Sequence, residues 1–237
     1  MKLWRRYLEQ YADHEGSVEE QVVVASYHAA EVFGLLALTL DRQEKYRTLT
    51  EQRVGFFDRG SEQARVFGDC LVNGTFSIYN HVNTLAHLLT DGNVPAGDLI
   101  REVDHQVHSL IESAGQIERA AAALEATFPL LSLVTIAMDR ANAVTAAIRQ
   151  VEQRFIGASA QAVSARDRLL NGLYRIVEMM QLFVALSDKE LIDQAVQIAA
   201  RFQEEDRTRD PMLKMRNGFC RLFELGHLLT THLDEIL

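Results

Sequence analysis

The most regular stretch of the chain, residues 100–124, reads IREVDHQVHSLIESAGQIERAAAAL. Its apolar residues recur every three or four positions, at Ile100, Val103, Val107, Leu110, Ala114, Ile117, Ala121 and Leu124. This spacing places the side chains on one face of an α-helix, as in helical bundles. A second stripe has the same spacing, at Leu130, Val134, Ala137, Ala141, Val144, Ile148, Val151 and Phe155. The middle of the chain is therefore predicted to be helical.

Pro129 separates the two stripes, and two architectures are compatible with it. Proline favours the first turn of a helix, so Pro129 can begin a second helix after a tight hairpin. Alternatively, Pro129 kinks one long helix that runs from about residue 96 to residue 156. The stripe changes phase across the junction, which favours the hairpin.

A low content of helix breakers extends the helical prediction to the whole chain. The 237 residues include 13 Gly and 3 Pro, and no segment alternates as a β-strand does. Capping boxes at Ser17, Asp41 and Ser187 mark helix starts. We predict an all-α fold: an antiparallel bundle of eight or nine helices, or two bundles that share long central helices. The predicted helices span residues 2–13, 18–40, 42–58, 61–90, 96–127, 129–156, 159–186, 188–207 and 211–236.

The chain is predicted to form one all-helical domain over residues 1–237, because this length can bury a large core. The strongest turn cluster begins at Asp91-Gly92-Asn93 and includes Pro95 and Gly97. If the domain divides into two sub-bundles, we expect the division near residues 91–97.

The amino-acid composition limits the kinds of partner and the cellular compartment that we expect for this protein. The net charge is −9, and the 24 basic residues are scattered, so we expect no nucleic-acid partner. Arg is far commoner than Lys, which suggests a GC-rich bacterial coding sequence. Cys70 and Cys220 lack metal-type or redox-type spacing and fit a reducing cytoplasm.

The segment from Val22 to Leu40 is apolar and about long enough to cross a bilayer. It also contains Glu31, which is costly in a lone membrane span. We expect a buried central helix here and no stable membrane insertion. The N-terminal segment lacks the apolar core of a signal peptide, and Trp4, Tyr7 and Tyr11 give it an aromatic stripe. Such a stripe docks on the core of its own chain or mediates exchange between copies.

His28 and Glu31 form a polar pair within this apolar helix. A buried carboxylate needs an ion pair, hydrogen bonds or a proton, so the pair is a candidate for a buried polar pocket. Arg166 falls on an apolar stripe and is a candidate partner for a buried acid. A satisfied core pair is the competing interpretation.

Two Glu-x-x-His elements, Glu102/His105 and Glu224/His227, resemble the ligand pattern of di-metal carboxylate bundles. Asp69 and Glu190 could supply further carboxylates for Fe, Mn or Zn. A helical wheel places both elements away from the apolar stripes, which favours solvated surface residues over metal ligands.

Three Asn-Gly pairs lie inside helical patterns, at Asn73, Asn171 and Asn217. The pattern is typical of a repeated close helix contact, and the outward asparagines are candidates for a partner surface. The pairs are separated by 98 and 46 residues, and these gaps are too unequal for the regular period of a solenoid.

These observations favour a non-enzymatic helical protein that acts in protein–protein interaction or regulation and self-associates as a homo-oligomer without a cofactor. The alternative is a small-molecule or metal-binding bundle of the ferritin-like di-metal carboxylate type, with enzymatic activity.

Overall fold

A computed structural model describes residues 16–111, 114–139, 144–203 and 207–236. These residues form helices and no β-strand, which confirms the all-α prediction. The helix predicted at residues 2–13 lies outside the described residues. The described helices are α1 (Val18–Leu40), α2 (Arg47–Gln63), α3 (Phe67–Leu89), α4 (Val94–Ile111), α5 (Gln116–Met138), α6 (Val144–Gln161), α7 (Ala165–Ser187), α8 (Leu191–Gln203) and α9 (Pro211–Ile236).

The odd-numbered helices form a closed inner ring. Each packs against the next in chain order, and α9 packs against α1. Neighbouring inner helices are parallel: Gly74 of α3 lies beside Ser26 of α1, and eight residues further along α1, Gly34 lies beside His81 of α3. Helix α9 runs in the same direction as α1, because Arg216 donates to Gln21 near both N-terminal ends and Gly226, ten residues further along α9, lies beside Val32.

The even-numbered helices form an outer layer that runs antiparallel to the ring. Asn73, near the start of α3, donates a hydrogen bond to the carbonyl of Phe57, near the end of α2. Arg53, earlier in α2, bonds to Asn83, later in α3. Each outer helix contacts the two inner helices that precede and follow it in the chain. The fold is therefore an alternation of inner and outer helices joined by short turns.

The inner helices repeat with a period of 49 residues. Helices α1, α3, α5 and α7 begin at residues 18, 67, 116 and 165, and each has 23 residues. Helix α9 begins 46 residues after α7, at residue 211. The 98-residue gap between two Asn-Gly pairs is therefore two periods, and the sequence argument against a regular repeat was wrong. Helix α5 carries Ala122-Ala123 at this position, which hides the period.

A small residue occupies the eighth position of every inner helix. Three are glycines: a Cβ built on Gly74, Gly172 or Gly218 would lie 2.6, 3.2 or 2.6 Å from the nearest side-chain atom of the preceding inner helix. The other two are Ala25 and Ala123, both fully buried. The close helix contact predicted from the Asn-Gly pairs is confirmed for their glycines.

The interior of the ring is filled with apolar side chains. Fully buried members include Phe33, Leu71, Leu131, Phe183 and Phe219, one from each inner helix. Each such side chain contributes about 1.5–3 kcal/mol relative to its exposed state. Burial inside the ring is thus the main reason that these five segments are stable helices.

Three buried threonines in this interior are satisfied by their own helices. The hydroxyls of Thr75, Thr127 and Thr135 donate to the carbonyl four residues earlier, at distances of 2.7 to 2.8 Å. A buried hydroxyl costs free energy unless it is hydrogen-bonded, and these local bonds remove that cost.

The predicted helices at 96–127 and 129–156 were wrong. Helix α4 ends at Ile111 and α5 runs from Gln116 to Met138, with Gly115 as its N-cap, so Pro129 lies inside α5. It neither begins a helix nor kinks a helix that runs from 96 to 156. Ala114 lies in a turn but continues the apolar spacing, and periodicity alone does not detect such a break.

Aspartates at the ends of inner helices explain why other helices begin later than the sequence predicted. Ser17 forms the predicted capping box with Glu20. Asp41, by contrast, ends α1, and its carboxylate accepts from the backbone N–H groups of Lys45 and Tyr46, so α2 begins later than predicted. Asp139 likewise ends α5 and accepts from the N–H of Val144. A carboxylate after one helix thus serves the N-terminus of the next.

Three described helices, α1, α5 and α7, are long and apolar enough to cross a membrane by length and composition. In the ring, half or more of the apolar stretch of each is buried. Length and hydropathy alone therefore do not distinguish an inner helix of this ring from a membrane-spanning helix.

Candidate functional site

The groove between α1 and α9 brings together two polar pairs that the sequence places at opposite ends of the chain. His28 and Glu31 come from α1, and Glu224 and His227 come from α9. The His28 Nδ1 atom lies 3.5 Å from Glu31 Oε2. Phe223 joins the pairs: its ring centroid lies 5.5 Å from that of His28 and 5.9 Å from that of His227, which stacks on it nearly in parallel. We call these five residues the α1–α9 groove.

Burial sets the chemistry of this groove. His28 is 5% exposed, whereas Glu31 and Glu224 are half-buried, and the carboxylate of Glu224 pairs with Arg201 of α8. Burial lowers the pKa of His227, which favours a neutral imidazole at pH 7. The groove therefore has an aromatic floor bordered by two acids.

The structure does not bring Arg166 to this groove. Arg166 is exposed in the first turn of α7, and α7 does not contact α1. Of the three residues predicted for a buried polar pocket, only His28 and Glu31 lie together.

The residues proposed for a di-metal site also lie apart. Glu102 and His105 are exposed on α4, which does not contact α9, where Glu224 and His227 lie. Asp69 accepts a hydrogen bond from Gln116, and Glu190 is exposed beside the start of α8. Among the described residues, no group of three or more His, Cys, Asp or Glu side chains is arranged to hold a metal ion.

The three asparagines have different surroundings. Asn73 donates to Phe57 and fixes the end of α2 on the ring. Asn217 is 1% exposed and accepts from the guanidinium of Arg216, so it lies beneath the surface rather than on it. The helical wheel pointed both side chains away from the ring interior but could not show that the outer layer covers that face.

Asn171 lines an open groove of about 380 Å³ at the N-terminal end of α7. The groove lies between α6 and α7, and its other lining residues are Phe155, Ala158, Gln161, Ala162, Asp167, Leu170, Tyr174 and Lys214. Of the three predicted surface asparagines, Asn171 is the one that the structure places in a groove.

A partly buried polar network that sequence reasoning missed links α2, α3 and α4. The Arg53 guanidinium donates to Asn83 Oδ1 at 2.8 Å, and Asn83 Nδ2 donates to Asp104 Oδ1 at 3.0 Å. Tyr79 also donates to Asp104, and Arg53 donates to Thr84. Burial lowers the pKa of Arg53, and burial together with the bond to Asp104 raises the pKa of Tyr79. These residues come from three helices, so no single periodic pattern reveals them.

The described helices define an all-α fold: a closed ring of parallel inner helices with an antiparallel outer layer. No protein-family model matches the chain, and no curated protein or solved structure matches it either.

Proposed function

We propose that this protein is a non-enzymatic interaction module that self-associates through the end of α6 and the turn that follows it. The observation that carries the proposal is the uncharged stretch of residues 156–163, IGASAQAV. Ile156 is 58% exposed and Val163 is 96% exposed. We take these two exposed apolar side chains, in a stretch without charge, as the centre of the contact.

The groove beside this stretch supports the same proposal. Phe155 and Leu170 extend the apolar surface into the groove, where Asn171 and Tyr174 supply polar groups. An apolar centre with polar groups at its edge is the usual composition of a protein interface. A second copy of the chain presents the same patch, so a two-fold dimer buries both patches at once.

The filled interior of the ring also favours interaction over catalysis. The described inner helices meet mainly through apolar side chains, and Asn171 and the polar pairs of the α1–α9 groove lie in outer grooves. Regulation through such a surface needs no cofactor.

We also place the protein in the cytoplasm, without stable membrane insertion. Cys70 lies on α3 and Cys220 on α9, two helices that do not contact each other, so this pair forms no disulfide. In the ring, half or more of the apolar stretch of α1, α5 and α7 packs against other helices instead of facing outward. This packing supports a protein that is not inserted in a membrane. Recovery of the native chain in the membrane fraction after alkaline carbonate extraction would contradict this assignment.

The experiment for self-association is light scattering over a wide concentration range. We expect the wild type to reach the mass of a dimer and Val163→Asp to remain monomeric, because a buried charge at the interface is costly. Val94→Asp is the matched control, since Val94 is also exposed but lies at the start of α4. A wild type that stays monomeric at every concentration, or a Val163→Asp variant that still dimerises, contradicts the proposal.

A further inference from the structure

The ring of inner helices has five grooves, and a described outer helix covers four of them. Helix α2 spans α1 and α3, α4 spans α3 and α5, α6 spans α5 and α7, and α8 spans α7 and α9. No described outer helix contacts both α9 and α1. This fifth groove is the one that contains His28, Glu31, Phe223, Glu224 and His227.

Three outer helices place an arginine at the same position of the inner helix that follows. Arg154 of α6 pairs with Glu178, the fourteenth residue of α7, at 2.7 Å. Arg201 of α8 pairs with Glu224, the fourteenth residue of α9. Arg53 of α2 donates to the backbone carbonyl of Asn80, the fourteenth residue of α3. The contact is thus a repeated feature of how the outer layer seats on the ring.

Glu31 is the fourteenth residue of α1, so the repeat predicts an arginine for it. The three observed arginines precede their partners by 27, 24 and 23 residues. Counting back by the same separations from Glu31 reaches residues 4 to 8. This window contains Arg5 and Arg6, which lie in the segment outside the described residues.

The charge of the α1–α9 groove is opposite to that of Arg5 and Arg6. His28 occupies the position that Ser77 has in α3, between the α2 contacts of Asn73 and Asn80, and both residues are 5% exposed. On the α2 side, burial and the nearby carboxylates of Glu31 and Glu62 raise the pKa of Asp58. This border is therefore acidic, and the floor of the groove is aromatic.

We propose that residues 1–15 of this chain are the fifth outer element and occupy the α1–α9 groove. Arg5 or Arg6 pairs with Glu31, and Trp4, Tyr7 and Tyr11 pack on the floor formed by His28, Phe223 and His227. The ring is then closed by its own N-terminus, and the groove is an intramolecular docking surface.

Trp4 provides a direct test in the full chain, because it is the single tryptophan. In the native protein we expect its emission to be blue-shifted from that of the urea-denatured chain and protected from acrylamide quenching. Glu31→Lys should shift the emission to the red and raise quenching toward the denatured level, since it places a like charge beside Arg5 and Arg6. Of the single variants Arg5→Glu and Arg6→Glu, the one that reverses the charge paired with Glu31 should also expose Trp4 to acrylamide. Combining that variant with Glu31→Arg should restore the protection of Trp4.

Glu178→Lys is the matched control, because Glu178 holds the same position in α7 and has its own arginine. It should leave the emission of Trp4 unchanged. Helical content measured by circular dichroism separates loss of docking from unfolding of the ring. The proposal is overturned if native Trp4 is quenched as strongly as in the denatured chain, or if no charge reversal at Glu31, Arg5 or Arg6 changes its protection. Protection that is lost on dilution of a dimer would instead place the segment on a second copy, and would equally overturn docking within one chain.

Discussion

The amide of Asn83 bridges Arg53 and Asp104, with its oxygen 2.8 Å from the guanidinium and its nitrogen 3.0 Å from the carboxylate. Arg53 belongs to α2, Asp104 belongs to α4, and Asn83 lies on the inner helix between them. One inner side chain therefore holds two outer helices in place. Because an amide has one donor end and one acceptor end, the bridge also fixes the rotation of both outer helices about their axes.

Removing the guanidinium should destabilise the protein strongly. Arg53→Met retains most of the aliphatic packing but removes the bonds that the guanidinium donates to Asn83, Thr84 and the Asn80 carbonyl; of these, Thr84 and Asn80 keep the bond between them. We expect the free energy of unfolding in urea to fall by about 3 kcal/mol, because several buried polar groups lose partners at once.

Arg59→Met serves as the control on the same helix. Arg59 is exposed and lies over the exposed ring of Phe56, 4.7 Å from its centroid. Its loss should change the free energy of unfolding by no more than about 0.5 kcal/mol. Equal effects of the two substitutions would show that the network does not stabilise the outer layer.

Two glycines should respond in opposite directions to the same substitution. In Gly172→Ala, the new Cβ would lie 3.2 Å from the Cβ of Leu124 and 3.4 Å from the backbone nitrogen of Glu125, so α5 and α7 must separate. We expect a loss of about 1–3 kcal/mol, as is usual when a packed core is overfilled. In Gly157→Ala, the Cβ meets nothing within 4 Å, and the change should raise stability by about 0.5–1 kcal/mol through helix propensity.

Thermal or urea denaturation of both glycine variants measures this difference. If Gly172→Ala were as stable as the wild type, the close contact at the eighth position of the inner helices would not be required for stability.

The sequence predicted the helices whose ends carry strong local chemistry. Helix α1 begins after the capping box at Ser17, and α9 begins at Pro211 after Asp210, whose carboxylate accepts from the N–H of Met212. The ends of α5 were missed because Gly115 precedes it without a side-chain cap, and because Pro129 has a stronger boundary signal although it is inside the helix. Packing of α5 within the ring outweighs the hydrogen bond that Pro129 removes.

The candidate site was predictable only in part. Glu31 stood out because a carboxylate in an apolar helix needs a partner, and His28 was recognised on the same face. The contact of His28 with Phe223 depends on closure of the ring by α9, which no local pattern encodes. The same limit applies to the bridge of Asn83, since its two partners lie 30 and 21 residues away on other helices.

The stability of the protein should depend on pH through His81. This imidazole is buried against Gly34, and burial lowers its pKa from 6.5 to about 3. Between these two values the unfolded chain binds a proton that the folded chain does not, so the free energy of unfolding decreases as the pH falls. The contribution of this residue has a slope of at most about 1.4 kcal/mol per pH unit.

His81→Leu should remove that contribution. The Nδ1 atom of His81 has no hydrogen-bond partner among the described residues, so an apolar side chain of similar volume loses no bond there. We expect stability at pH 8 to be retained and the decrease between pH 6.5 and pH 4 to become shallower than in the wild type. Urea denaturation at each pH gives both slopes, and identical slopes would show that His81 can be protonated in the folded ring.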